Sequence, residues 1–251
     1  MTNILGIIPA RFASSRFPGK PLVDIAGKSM IQRVYEQCQK SKFLSKVIVA
    51  TDDKRIADHI IHFGGHVMLT STQHQSGTDR CAEVANTNPD YDVYINIQGD
   101  EPFIDPNQID LLCGCFEEPN CHQIATLIKK INSVEELMNP NTPKVVVNSS
   151  QQAIYFSRAA IPFFRGKNVN DWLDHHTYYK HIGIYGYRQQ TLWDITQLPV
   201  SGLEKAESLE QLRWIENGYP IHTAVTDQEN QAIDTPEDLE KIRGLFAAGR
   251  L

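Results

Sequence analysis

Four short apolar runs, Ile4–Ile8, Val47–Ala50, Val67–Thr70 and Val93–Ile97, alternate with stretches whose apolar residues recur at helical spacing. The helical faces are Met30, Ile31, Val34, Tyr35 and Cys38, then Ile56, Ala57, Ile60 and Ile61. A short run without internal polar residues reads as a strand buried on both faces. Strands of that kind separated by amphipathic helices predict a largely parallel sheet with helices on both sides. A further helix follows at Ile109, Leu112, Cys113 and Phe116. Asp105 is its predicted cap, Pro106 opens its first turn, and Gln108 occupies the capping-box position.

The middle of the chain reads differently. Ile124–Ile128, Lys144–Val147, Ala153–Ser157 and Ile182–Tyr187 are strand-like, with a loop-rich stretch at Arg165–His176. They predict a β-rich lobe, about 124–200, inserted in or packed on the core of a single domain. A helix near Glu204–Asn217, a strand at Ile221–Val225 and a last helix follow; Thr235 caps that helix and Leu239, Ile242 and Leu245 face inward.

Lys+Arg 24 against Asp+Glu 30 gives a net charge of −6, which argues against a general nucleic-acid binder. Five cysteines in 251 residues do not form a disulfide framework, and Cys113-x-Cys115 with Cys121 lacks the paired spacing of a zinc site. No secretory leader and no apolar run of membrane-spanning length is visible, so a soluble cytoplasmic protein without membrane insertion is expected.

Ligands of open α/β sheets bind at the carboxyl ends of the strands. The loop after the first strand, Pro9–Lys20, carries Arg11, Arg16 and Lys20 among small residues. Small residues let backbone N–H groups surround an anion, and the cations add charge-assisted hydrogen bonds. This describes a polyphosphate cradle, although it is not a P-loop. Gly27-Lys28-Ser29 has Leu22 where the leading Gly should stand, and Gly19-Lys20-Pro21 fails at Ser14 and Pro21. The fourth strand ends in Gln98-Gly99-Asp100-Glu101-Pro102. An acid beside a phosphate loop suggests Mg²⁺, which favours one or two carboxylates with phosphate and water. Asp234, at the end of an extended stretch, is the second candidate ligand. Glu237 and Asp238 fall in the following helix's first turn and suit its dipole.

Taken in order, "IIPARFASSRFPGKPL", "ATDD", "HQSGTDR", "NIQGDEP", "NPNTPKVV", "YFSRAAIP", "KHIGIYGYR", "LEQLRW" and "IDTPEDL" resemble the 3-deoxy-D-manno-octulosonate (Kdo) cytidylyltransferase family over essentially the whole chain. The resemblance implies a Rossmann-like, nucleotide-diphospho-sugar transferase-like α/β fold with a mixed, mostly parallel sheet. Its β-rich lobe would bind sugar and form a homodimer. It implies that CTP and Kdo are the substrates and that CMP-Kdo for lipopolysaccharide biosynthesis and pyrophosphate are the products. Arg11 and Lys20 would be catalytic, and Mg²⁺ would sit on Asp100 and Asp234. Pro9, Ala10, Arg16, His74, Gln75, Ser76, Gly77 and Thr78 would bind nucleotide. Gln98, Arg158, His181, Tyr185, Glu210 and Gln211 would bind sugar, with Arg158 facing the sugar carboxylate or pairing with Glu210. A cytidylyltransferase for another acid sugar, such as a sialic acid or an 8-amino analogue, and a non-catalytic nucleotide sensor are the rival readings.

Overall fold

A computed structural model describes residues 2–13, 17–118, 122–229 and 231–247. In chain order these form β1 (Ile4–Ala10), β2 (Asp24–Ile25), β3 (Lys28–Ser29), α1 (Met30–Cys38), β4 (Lys46–Thr51), α2 (Lys54–His62), β5 (Val67–Leu69), α3 (Gly77–Thr87), β6 (Val93–Asn96) and α4 (Pro106–Gly114). There follow β7 (Ile124–Lys130), α5 (Val134–Met138), β8 (Lys144–Val147), β9 (Ala153–Ser157), α6 (Trp172–His175), β10 (Tyr179–Arg188), α7 (Gln189–Thr196), α8 (Gly202–Glu207), α9 (Gln211–Glu216), β11 (Ile221–Val225) and α10 (Pro236–Ala247).

The main sheet runs β11-β7-β10-β6-β1-β4-β5, with the hairpin β8–β9 attached to β10. β6, β1, β4 and β5 are mutually parallel, as are β7 and β11. β10 lies between β6 and β7 and is antiparallel to both. Side-chain alternation along β1 builds two cores. Ile4 and Ile8 pack with Ile31 and Val34 of α1 and Ile109 and Leu112 of α4. Leu5 and Ile7 pack on the other face with Cys81 and Val84 of α3 and Leu192 of α7. The period-two pattern thus puts helices on both sides of the sheet. Residues 124–200 supply β7 and β10 to this sheet, while β8–β9 extends from Tyr179 and Lys180 at the start of β10.

The expected helix over Glu204–Asn217 is two helices. Ser208, with φ 51°, ends α8 in the left-handed region, and Arg158 donates from Nε to the Glu207 carbonyl (2.7 Å) and from Nη2 to the Ser208 carbonyl (3.3 Å). Those carbonyls are turned away from a continuing helix. Asp105 caps α4 as expected, accepting from Asn107 N at 2.8 Å. Gln108 does not close a capping box; its buried amide points to Thr226 and the Gln228 carbonyl. Arg165–His176 contains α6 and helps cover a small satellite core of Ile131, Leu137, Trp172 and Tyr178. Among the described residues no helix is long and apolar enough to cross a membrane, and Cys38, Cys81 and Cys113 are free thiols. Cys121 lies outside the described residues.

Candidate active site

The parallel strands β1, β4, β5 and β6 end on one edge of the sheet, so their following loops converge there. The loops after β1 and β6 touch: a Cβ at Gly99 would lie 2.8 Å from the Pro9 carbonyl oxygen, a contact only glycine permits. Pro9, Ala10, Arg11, Lys20, Gln98 and Asp100 help line a cavity of about 350 Å³. Gly19, at φ 73°, turns the chain so that Lys20 enters it.

Lys20 Nζ lies 2.8 Å from Asp100 Oδ2 and 3.3 Å from Asp234 Oδ1. Ile233 N donates to the Asp100 carbonyl at 2.9 Å, which pins the stretch before α10 against the loop after β6. The two acids expected to hold a metal therefore converge on a single cationic group. Two carboxylates that share one cation suit Mg²⁺, whose remaining positions take phosphate and water. Among the described residues no cluster of three or more His, Cys, Asp or Glu forms a self-sufficient metal cage. Asp238 closes a capping box with Thr235, accepting from Thr235 N at 2.9 Å.

Arg11 donates from Nη2 to the carbonyls of His74 (2.6 Å) and Ser76 (3.1 Å), so it bridges the phosphate loop and the loop before α3. Arg16 lies outside the described residues. Within the expected cytidine segment, Ser76 caps α3 and forms a capping box with Asp79. The His74 ring engages Glu83, and Gln75 Nε2 donates to the Gln73 carbonyl. Gly77 packs against Pro9. Thr78 Oγ1 donates to Glu210 Oε2 at 2.9 Å, joining this segment to the start of α9.

The expected sugar residues separate into two groups. Tyr185, Glu210 and Gln211 gather beneath the sheet edge with Thr78 and Trp214, the Tyr185 and Trp214 ring centroids being 5.1 Å apart. The buried atoms Asn96 Oδ1, Gln211 Nε2 and Trp214 Nε1 have no hydrogen-bond partner, while the Tyr185 and Tyr187 hydroxyls lie beside Thr126 and Thr78. Buried polar atoms are nearly always paired, so unpaired ones mark places for a polar ligand or water. Asn96, Tyr187 and Trp214 were not singled out from sequence; each sits in an apolar pattern that signals core alone. Glu210 also accepts from Arg213 Nη2 at 2.9 Å. Burial raises its carboxyl pKa, against the pull of Thr78, Ser76 and Arg213.

The other group holds the scaffold. Gln98 Nε2 donates to the Gly183 carbonyl at 2.8 Å, and Thr126 Oγ1 donates to the Ile184 carbonyl at 2.7 Å. Both satisfy a bulge in β10 between Ile182 and Tyr185. The bulge inserts an even number of residues, so His181 and Tyr185 still share a face, with ring centroids 5.2 Å apart. Burial pushes the His181 pKa down to about 3, leaving a neutral imidazole beside Thr126 Oγ1 at 3.0 Å. Arg158 spends its donors on the carbonyls of Pro140, Glu207 and Ser208, and the partner of Glu210 is Arg213 rather than Arg158.

The family model for cytidylyltransferases matches residues 5–245. The chain is 57% identical, over 98% of its length and 99% of the relative's, to a 3-deoxy-manno-octulosonate cytidylyltransferase of Parabacteroides distasonis. It is 56% identical to the one of Cytophaga hutchinsonii, over 96% of each chain. A solved structure of a CMP:2-keto-3-deoxy-manno-octonic acid synthetase complexed with CTP superposes with a TM-score of 0.91 at 44% identity, covering 99% of this chain and 100% of that one.

Proposed function

This chain belongs to the 3-deoxy-manno-octulosonate cytidylyltransferase family, and on that premise we propose that it converts CTP and Kdo to CMP-Kdo and pyrophosphate. The observation that carries the reading is the ammonium of Lys20 held between Asp100 and Asp234 on a cavity bordered by Arg11. The 2-hydroxyl oxygen of Kdo attacks the α-phosphorus of CTP. The bond from that phosphorus to the bridging oxygen breaks, and pyrophosphate carries the electron pair away. Such a transfer needs alignment and charge neutralisation more than covalent help. Lys20 is oriented by its acids rather than by solvent, so it meets developing negative charge with little reorganisation. Arg11 faces the same loop from the nucleotide side.

Asp100 and Asp234 would hold Mg²⁺, which would neutralise phosphate charge and lower the pKa of the attacking hydroxyl. Tyr185 Oη, the unpartnered Gln211 Nε2 and Glu210 offer donors and an acceptor for sugar hydroxyls. A cytoplasmic homodimer through residues 124–200 belongs to the same reading. Free thiols at Cys38, Cys81 and Cys113 and the exposed apolar side chains of Ile154 and Phe163 support it. The test is pyrophosphate release with CTP and Mg²⁺, comparing Kdo, its 8-amino analogue and N-acetylneuraminate. Kdo should give the highest kcat/KM. Absence of turnover with all three would refute the reading, and preference for another sugar would change the substrate alone.

A further inference from the structure

α3 carries two charged residues that grip the loop in front of it. Arg80 is fully buried. Its Nη1 donates to Thr70 Oγ1, just past β5, and its Nη2 donates to Asp52 Oδ2, just past β4, at 2.8 Å. Thr70 N in turn donates to the Thr51 carbonyl at 2.8 Å. Three residues further along α3, and so on a neighbouring face, Glu83 Oε2 accepts from Ser71 N at 2.9 Å and engages His74 Nε2. Between Thr70 and Arg80 the chain is therefore clasped at its base by one residue and along its length by the other.

A buried guanidinium paired with one carboxylate is weak support for stability, because desolvation opposes the attraction; its better-attested use is to fix register. Here the register is that of His74–Thr78 against the phosphate loop. The carbonyl of His74, whose ring is held by Glu83, accepts from Arg11 Nη2. A chain of contacts thus runs from Glu83 through His74 to Arg11, and from Arg80 to the ends of β4 and β5.

We propose that Arg80 and Glu83 are positioning residues for the nucleotide: without touching it, they hold the 71–76 loop and Arg11 in the arrangement that accepts CTP and rejects other bases. The proposal rests on the cytidylyl-transfer reading. The Ser71 N–H and His74 hold the Glu83 carboxyl below its usual range despite partial burial, as a clasp that works in its charged form requires.

The experiment measures CTP and UTP binding by titration calorimetry without sugar, together with hydrogen exchange of the 71–76 amides. Glu83→Ala should weaken CTP binding about tenfold, narrow the preference over UTP, and speed exchange in the loop. Glu83→Gln, which keeps an acceptor for Ser71 N, should recover most of the affinity. Arg80→Lys should act in the same direction and more strongly; because it also perturbs the core, Glu83→Ala is the deciding variant. Wild-type CTP affinity, selectivity and exchange in Glu83→Ala would overturn the inference while leaving cytidylyl transfer intact. Wild-type protein that bound no CTP would overturn both.

Discussion

Lys20, at the end proposed for phosphate, and Arg158, at the end proposed for sugar, are held in opposite ways. At the phosphate end Lys20, Asp100 and Asp234 come from three distant parts of the chain and pair with one another. At the end proposed for sugar Arg158 is engaged by scaffold carbonyls and Glu210 by Arg213 and Thr78, while unpartnered atoms belong to neutral Gln211 and Trp214. Charges kept for one another are available to a charged ligand. Charges engaged by the backbone, Arg158 at one end and Arg11 at the other, keep the walls in place. Removing Asp100, Asp234 or Lys20 should therefore act mainly on rate, and removing Arg158 mainly on stability.

The largest effect should come from Asp100→Asn or Asp234→Asn. Each should lower kcat at saturating Mg²⁺ by about a thousandfold, since a metal's charge stabilisation amounts to several kcal/mol. The melting temperature should stay close to that of the parent protein; near-normal turnover in both would remove the metal pair from the mechanism. Lys20→Ala should follow, with a loss of about 2–4 kcal/mol in kcat/KM, the scale of one preorganised donor. A rise in KM for CTP with kcat intact would reduce Lys20 to a ground-state contact.

Arg158→Ala should break the pattern in the other direction, because its guanidinium holds three carbonyls. Urea unfolding should show a loss of about 2–3 kcal/mol, the range for hydrogen bonds made by a charged group. A stable variant with a specific rise in KM for Kdo would instead make it a carboxylate clamp.

His181 gives a smaller effect that depends on pH. Its folded pKa of about 3 lies below the ordinary value, so the unfolded chain binds the extra proton first as pH falls. Stability should drop as pH is lowered below about 6.5, by about 2 kcal/mol at pH 5. His181→Gln should lack that contribution, measured as the difference between the two proteins' unfolding free energies at pH 7 and pH 5. Equal pH slopes would mean that His181 titrates normally.

The smallest change is the most discriminating. Tyr185→Phe removes a buried hydroxyl that lies beside Thr126, so stability should fall by about 1 kcal/mol. KM for Kdo should rise by a factor of about five. An unchanged KM would assign the hydroxyl to ordered water instead of sugar.

The parallel half of the sheet was legible because short apolar runs between amphipathic stretches admit few arrangements, and acids at the ends of extended segments pointed to Asp100 and Asp234, which the fold brings together on Lys20. The direction of β10 was not legible: an apolar strand carries the same pattern whichever way its neighbours run. The break at Ser208 was hidden because its cause, Arg158, lies 50 residues away. Glu210 is a sugar residue by family resemblance alone, and its bond to Thr78, across 132 residues, has no local signal. The small core under Arg165–His176 was missed because its aromatic residues are spread over loops without a period.

β10 also sets a timetable for synthesis. β6, β1, β4 and β5 all lie before residue 97 and can pair with one another as soon as they leave the ribosome. Their edge at β6 presents Val93, Tyr94 and Ile95, which are fully buried in the finished protein. The strand that covers this edge spans 179–188, so the edge stays raw while the intervening residues are translated, on the order of several seconds at ordinary elongation rates. For that interval the nascent chain is a half-sheet open to wrong partners, and a chaperone that shields it is most useful before β10 emerges.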